Sequence, residues 1–538
     1  MSVSKKSRTL LPDEGFFDVT VVGAGIGGLC TAALLARQGK KVLVVDAHYN
    51  LGGCCTIFRR KGTLYEFDVG LHYVGDCEEQ GLIPRVLRSC GVDDIEWLEM
   101  DPDGYDIAHF GDDVFRYPRS ESAFKQRLLE LFPRERRGIE RYFKLLKQVW
   151  DFLDIPRDPK SVLWKGPRSL LLFRYMNATL ANFLDSCTDN PELRGIIAGQ
   201  VGLHHQPPSR ASLVGHAGVT EHFLQGAFYP RGGGQILADK LAESIESNGG
   251  KILLNTPVTK IIVKNGAATG VEVNHKREGR QVISSRCVIS NADYKKTVEG
   301  LVGPENISRK IIRSSQNMTM APGMSVLYLI LNRDLAKEGH TNANIRIYPS
   351  YDMEACYKKV LNGEFPERPH LFIGNASLKN PGDTSVAPLG HTNLQIMSAV
   401  PNLPEAWGVS AADVLSGNYH ENPRYQALKA QFADAMLQVT EQVIPNIKGN
   451  IVFQEVSTPI TTGQYLGSSG GTSYGLSMVP SQFMLKRPGP STEIKNLYLC
   501  GCNTRAGHGV FGAMTSSVLA AAEALGRISF VPEALNPS

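Results

Sequence analysis

"DVTVVGAGIGGLCTAALLARQGKKVLVVDAHYN", residues 18–50, decides the fold. Apolar Val19, Val21 and Val22 run into a G-x-G-x-x-G turn at Gly23, Gly25 and Gly28. An Ala-rich stretch from Leu29 to Arg37 follows, ended near Gly39, and then a second apolar run. The periodicity predicts strand, turn, helix and strand. Each glycine has a physical reason: Gly23 permits the tight turn, Gly25 lets a pyrophosphate approach the helix N-terminus, and Gly28 lets helix pack on strand. Ala24, Ile26 and Gly27 complete the loop. Asp46 closes the second strand about 20 residues on, where a carboxylate accepts hydrogen bonds from ribose hydroxyls, and Ala47 follows it. The motif alone is weak evidence; strand, helix and terminal acid in register make a dinucleotide site.

The next stretch, "LGGCCTIFRRKGTLYEFDVGLHYVGD" from residue 51 to 76, carries a second glycine pair, Gly52 and Gly53. Glycine lets main chain lie directly against phosphate or ring, so the pair suggests a longer cofactor followed along its length, FAD in preference to NAD. Cys54, Val69 and Gly70 belong to the same contact. A disulfide between adjacent Cys54 and Cys55 would be strained, and the ten cysteines lack the paired spacing of a structural zinc site, so no metal is expected. Free thiols fit a reducing compartment.

A chain of 538 residues needs more than one packed unit. Its net charge of +4 is spread along the chain, which argues against nucleic-acid binding. The densest basic run, "FKQRLLELFPRERRGIERYFKLLKQ" from Phe124, reads as a solvated helix face, with docking on an anionic membrane surface as the alternative. The polar N-terminus does not resemble a signal peptide, and no run of apolar residues is long enough to span a bilayer. The expected location is cytoplasmic, with a peripheral membrane contact at most.

Taken together, "GGCC", "EFDVGLHYVG", "YPRGGGQILADKL" and "NLYLCGCNTRAGHGVFGAM" resemble the phytoene desaturase, carotenoid isomerase and retinol saturase superfamily of FAD-dependent oxidoreductases. "GGCC" followed by "FDVGLHYVG" is most similar to the retinol saturase branch. The resemblance implies an α/β fold: a Rossmann-type FAD-binding domain of the GR2-like flavoprotein kind, assembled from discontinuous segments, with an inserted α+β substrate domain. It places Val258 beside the adenine, Gly501 near the flavin phosphates, and Gly509 and Val510 near the ring. Many relatives carry an acid just after the first glycine of the last segment, whereas Cys502 and Asn503 stand here. The cofactor domain is expected over 15–110, 215–305 and 451–530, and the substrate domain over 111–214 and 306–450. Residues 1–14 and 531–538 are expected to be flexible termini.

Flavin chemistry on an unactivated carbon chain asks little of side chains beyond a dry apolar tunnel, consistent with the lack of a Ser-His-Asp set, an H-E-x-x-H helix or a catalytic carboxylate pair. Saturating a double bond also needs a proton. Tyr73 and His72, placed near the flavin by the resemblance, are candidates for it, as is His508, whose loop is expected to approach the ring; His204 and His205 are alternatives. For each alone, packing is the blander reading. The expected partners are a hydrophobic polyene or isoprenoid substrate and a separate electron donor or acceptor. The leading expectation is retinol-saturase-like or desaturase-like chemistry. A redox-neutral carotenoid isomerase, a flavin amine oxidase and a lipid-binding flavoprotein without turnover are the alternatives.

Overall fold

In the computed structural model, which describes residues 7–11, 15–60, 65–154 and 170–535, two seven-stranded sheets face each other across a cavity. In the first, the strand Phe16–Val22 runs parallel to Val42–Val45 on one side and to Gly279–Ser290 on the other. Val21 sits opposite Val44 and Ile289, a run of β-branched side chains buried on both faces. Lys251–Leu253 extends one edge and Leu497–Leu499 joins at Gly279–Ser290, both parallel. A hairpin turning at Asn265 and Gly266, both at positive φ, links Val258–Lys264 to Ala267–His275.

The helix Ile26–Arg37 is buried along nearly its whole length, because Gly509–Leu525 and Gln235–Ser247 both pack on it. Small residues permit this: Gly27, Gly28, Ala32, Ala33 and Ala36 on one helix meet an Ala- and Ser-rich partner, and the Ser517 hydroxyl donates to the Gly27 carbonyl at 2.7 Å.

The second sheet runs in the order Ile451–Ser457, Gly323–Leu331, Thr392–Val400, Leu371–Gly374, Asn344–Tyr348, Asp106–Phe110, Asp113–Tyr117. Strand periodicity divides its side chains. Leu327, Leu329, Ile345, Ile347 and Ile396 pack with the helix Pro423–Thr440, while Met324, Arg346, Tyr348, Phe372 and Met397 line the cavity. A further core forms between the helices Arg136–Asp154 and Leu213–Leu224.

The domain boundaries differ from the sequence expectation. Asp106–Phe110 and Ile451–Ser457, expected in the cofactor domain, hydrogen-bond into the second sheet, and Leu213–Leu224 contributes to its helical core. Nor are the described parts of the termini loose. Arg8 forms a buried ion pair with Glu246 at 2.7 Å, and the helix Phe530–Leu535 seats Ala534 and Leu535 in the first core. Residues 1–6, 12–14 and 536–538 lie outside the described residues. Phe124, Leu128, Tyr142, Phe143, Leu145 and Leu146 of the basic run are interior, so its outward face is the charged one.

Candidate active site

The first wall of the cavity is the glycine loop. Gly23 has φ +101°, and a Cβ at Gly28 would lie 2.0 Å from the Gly23 carbonyl oxygen, so neither position accepts a side chain. Gly25 is the N-cap of Ile26–Arg37 and supplies no side-chain cap, leaving the first helical amides for a ligand. The Asp46 carboxylate is held by two amides, accepting from Ala24 at 2.5 Å and His48 at 2.6 Å. Burial pushes this carboxyl up, against the pull of those amides. A carboxylate offers about four lone-pair positions, so ribose hydroxyls still find acceptors there.

Gly52 and Gly53 have a tighter reason to be glycine than the sequence suggests. The Gly52 amide donates to the Ala24 carbonyl at 2.9 Å, and a Cβ at Gly53 would stand 3.1 Å from the Gly25 Cα. The second glycine pair therefore leans on the first loop, and both line the cavity with Cys54 and Gly70. Cys54 and Cys55 are free; burial pushes the Cys54 thiol up to about 12 and Cys55 well above its ordinary range.

The C-terminal segment lies directly beside the glycine loop. Gly501, at φ +90°, packs on Asn291, whose Oδ1 would lie 2.5 Å from a Cβ at either Gly501 or Gly27. His508 is the N-cap of the helix Gly509–Leu525, but its ring turns to the Leu203 carbonyl at 2.9 Å and caps no helix amide, so a second helix N-terminus opens on the cavity. Asn503, standing where relatives are expected to place an acid, spends its Oδ1 on the Leu476 amide at 2.9 Å.

These walls enclose one continuous cavity of about 1210 Å³, above the roughly 300–1,000 Å³ of ordinary small-molecule pockets. Gly23, Gly25, Ile26, Gly27, Asp46, Ala47, Val258, Gly501, Gly509 and Val510 line it, as do His72, Tyr73 and His508. Ala24, Gly28 and Val69 do not line it. Ala24 works through its amide on Asp46, Gly28 through packing against Gly23, and Val69 through its amide, which donates to the Thr56 carbonyl at 2.9 Å.

Beyond the glycine loops, a buried polar network faces the cavity. Asp106 accepts from Arg346 Nε at 2.8 Å, from the Tyr73 hydroxyl at 3.0 Å and from Asn344 at 2.8 Å. Arg346 Nη2 donates to the Tyr73 oxygen at 2.8 Å, and Lys379 Nζ donates to the His72 carbonyl at 2.7 Å. Asp106 and Arg346 are 0% and 2% exposed. Burial holds the Tyr73 phenol well above its ordinary range and brings Lys379 down to about 7. Burial also lowers the imidazoles, His72 to about 3 and His205 and His508 to about 4, so they stand neutral. His205 lines the cavity; His204 lies behind it, its Nε2 3.2 Å from His216 Nδ1.

Arg346, Asp106, Lys379 and Asn291 escape a motif-based reading. The one signal for the first two is a charge within or at the start of a mainly apolar strand, "NIRIY" and "DIAHF".

Residues 21–90 match the model of the NAD(P)-binding Rossmann-like domain. All-trans-retinol 13,14-reductase of Danio rerio is 28% identical over an alignment covering 98% of this chain and 90% of that protein. Chloroplastic prolycopene isomerase 2 of an Oncidium hybrid cultivar is 26% identical, with coverage of 96% and 85%. Over nearly its whole length the chain is thus similar to proteins of the phytoene desaturase, carotenoid isomerase and retinol saturase superfamily of oxidoreductases. Among solved structures, cyclohexylamine oxidase from Brevibacterium oxydans aligns with a TM-score of 0.58 at 16% identity, covering 95% of this chain and 100% of that one. At that identity the likeness to an amine oxidase is one of fold. Among the described residues no helix is long and apolar enough to cross a membrane, and no cluster of side chains has the makings of a metal site.

Proposed function

We propose that the chain binds FAD and reduces a carbon–carbon double bond of a polyene or isoprenoid lipid, in the manner of a retinol saturase. The observation that carries this reading is the continuous cavity running from the dinucleotide loops, past Tyr73, to an apolar wall of Val149, Phe152, Met324, Phe372, Met397 and Phe483. Cofactor and lipid are thereby held in one water-poor space. Gly25 and the Ile26–Arg37 N-terminus would receive the pyrophosphate, Asp46 the ribose and the Gly509–Leu525 N-terminus the flavin, which supplies hydride exchange when bound.

What remains for the chain's own residues is to orient one double bond and manage a proton. His72 and His508 are held neutral, so Tyr73, which keeps its proton and donates it toward Asp106, is the acid placed closest to hand. Electrons enter from a separate donor. Similarity to prolycopene isomerases supports a second reading, redox-neutral cis/trans isomerisation with reduced flavin. Anaerobic photoreduction of the holoprotein followed by addition of a retinol-sized or carotenoid-sized polyene tests both. Flavin reoxidation with a product heavier by two hydrogens is expected; unchanged mass with altered double-bond geometry selects isomerisation, and no response to any polyene sinks both.

A further inference from the structure

We propose that Arg346 anchors a neutral, oxygen-bearing end of the polyene, and so selects an oxygenated substrate over the matching hydrocarbon. This rests on the reading of the cavity as a polyene site.

Strand geometry comes first. Ile345 and Ile347 turn toward the helical layer, so Arg346 is obliged to face the cavity. Among the described residues it is the one charged side chain that the second sheet presents there, beside Met324, Leu371, Phe372 and Met397. Its Nε is taken by Asp106, its Nη2 by the Tyr73 oxygen, and the guanidinium also hydrogen-bonds toward the Tyr348 phenol, which leaves N–H groups over among its five. The Tyr348 hydroxyl spends its own proton on the Gly199 carbonyl, so its oxygen stays an acceptor for the guanidinium. The position facing Nη1 is Gly202, itself a cavity residue, where a Cβ would stand 2.8 Å from that nitrogen. Glycine there leaves open the face of the guanidinium that Asp106 and Tyr73 do not use.

An ion pair placed here for stability alone would be a poor choice, because a buried pair is often no better than apolar side chains of the same volume. A guanidinium with N–H groups left over after Asp106, Tyr73 and Tyr348, beside an open cavity position, is better explained as a preorganised donor to a ligand. The ligand's charge follows from Asp106. That carboxylate already balances the guanidinium, Lys379 beyond it is brought down to about 7 by burial and does not line the cavity, and the neighbouring cavity groups Tyr348, His205 and His370 are neutral, so an incoming carboxylate would bring an unbalanced charge. A hydroxyl or carbonyl oxygen accepts from Nη1 without that penalty.

A hydrogen bond from a charged donor is worth roughly 10- to 100-fold in kcat/KM between substrates with and without the acceptor. The holoprotein is reduced anaerobically and mixed with four probes: an all-trans polyene alcohol, its methyl ether, the hydrocarbon lacking oxygen, and the carboxylic acid. We expect alcohol and ether to reoxidise the flavin with similar kcat/KM, because both offer an acceptor, and the hydrocarbon to fall behind by that factor. R346K keeps the charge beside Asp106 but loses the fork, and is expected to narrow the alcohol-to-hydrocarbon ratio severalfold. Equal use of alcohol and hydrocarbon by the wild type overturns the proposal, as does an unchanged ratio in R346K; an acid outrunning the alcohol overturns the neutral assignment. Should R346K fail to fold, the wild-type series still decides. Should no probe reoxidise the flavin, the function proposed above fails, and equilibrium binding of alcohol against hydrocarbon decides the anchor on its own, equal affinities refuting it.

Discussion

Replacing Asp106 by Asn removes one charge from a site with almost no solvent to replace it. Asp106 is fully buried and takes three hydrogen bonds, from Arg346, Tyr73 and Asn344. Removing one member of a buried ion pair costs about 3–5 kcal/mol, because the other charge is left uncompensated. The loss falls on the parallel pairing of Asp106–Phe110 with Asn344–Tyr348, which the network bridges. At about 1.36 kcal/mol per decade, opening of those strands becomes more frequent by on the order of a hundred- to several-thousand-fold. Native-state hydrogen exchange on peptides covering the two strands reads this directly. The double variant D106N/R346M removes both charges and is expected to recover most of the lost protection. Protection reduced by less than roughly tenfold in D106N, or a double variant worse than D106N, would refute the reasoning that an isolated guanidinium is the source of the cost.

G28A places a methyl group 2.0 Å from the Gly23 carbonyl oxygen, main chain that cannot move without opening the loop. Purified protein should carry less than about a tenth of the wild-type flavin, and normal occupancy would contradict the loop assignment. Burial pushes the Glu221 carboxyl up to about 7, with Glu121 adding to the shift, and its Oε1 has no partner among the described residues. Its folded pKa exceeds its unfolded one, so its contribution is full below about pH 4.5 and lost as pH rises through 7, on the order of 3 kcal/mol. Melting temperature against pH should therefore fall less steeply over that window for E221Q, and parallel curves would disprove the assignment. C54A/C55A should keep its flavin and turn over within roughly threefold of the wild type, since thiols of raised pKa are poor nucleophiles. Retained flavin with abolished turnover would establish a redox dithiol instead.

The glycine loop is legible in the sequence because its constraints are local. Gly23, Gly25, Gly28 and Asp46 lie within one strand-helix-strand unit, and the spacing that folds it also makes the site. Tyr73 and His508 can be nominated through motifs that adjoin the cofactor segments. Arg346 and Asp106 cannot be paired in the same way, since they stand 240 residues apart and meet only through the parallel pairing of their strands. The misplaced boundaries have the same origin. Nothing in "DIAHF" or "IVFQEVS" states which sheet the strand will join, because alternation fixes a strand's faces and leaves its neighbours open. The N-terminal strap is equally hidden, because Arg8 is an ordinary polar tail residue until Glu246 is brought against it.

Tyr73 and Val74 are consecutive, yet Val74 packs in the first core and Tyr73 against the second. The hydroxyl of Tyr73 then reaches Arg346 and Asp106 on strands of the far sheet. Apolar surfaces slide over one another at little cost, but directional hydrogen bonds between charged groups do not. Together with the Lys379 bond to the neighbouring His72 carbonyl, this keys the two halves of the molecule to each other where cofactor and lipid would meet. For anyone building chimeras across this superfamily, a second sheet transplanted without its own counterpart of Tyr73 would arrive with a mismatched key. Substrate preference should transfer only when the short segment from Gly70 to Gly75 travels with the sheet.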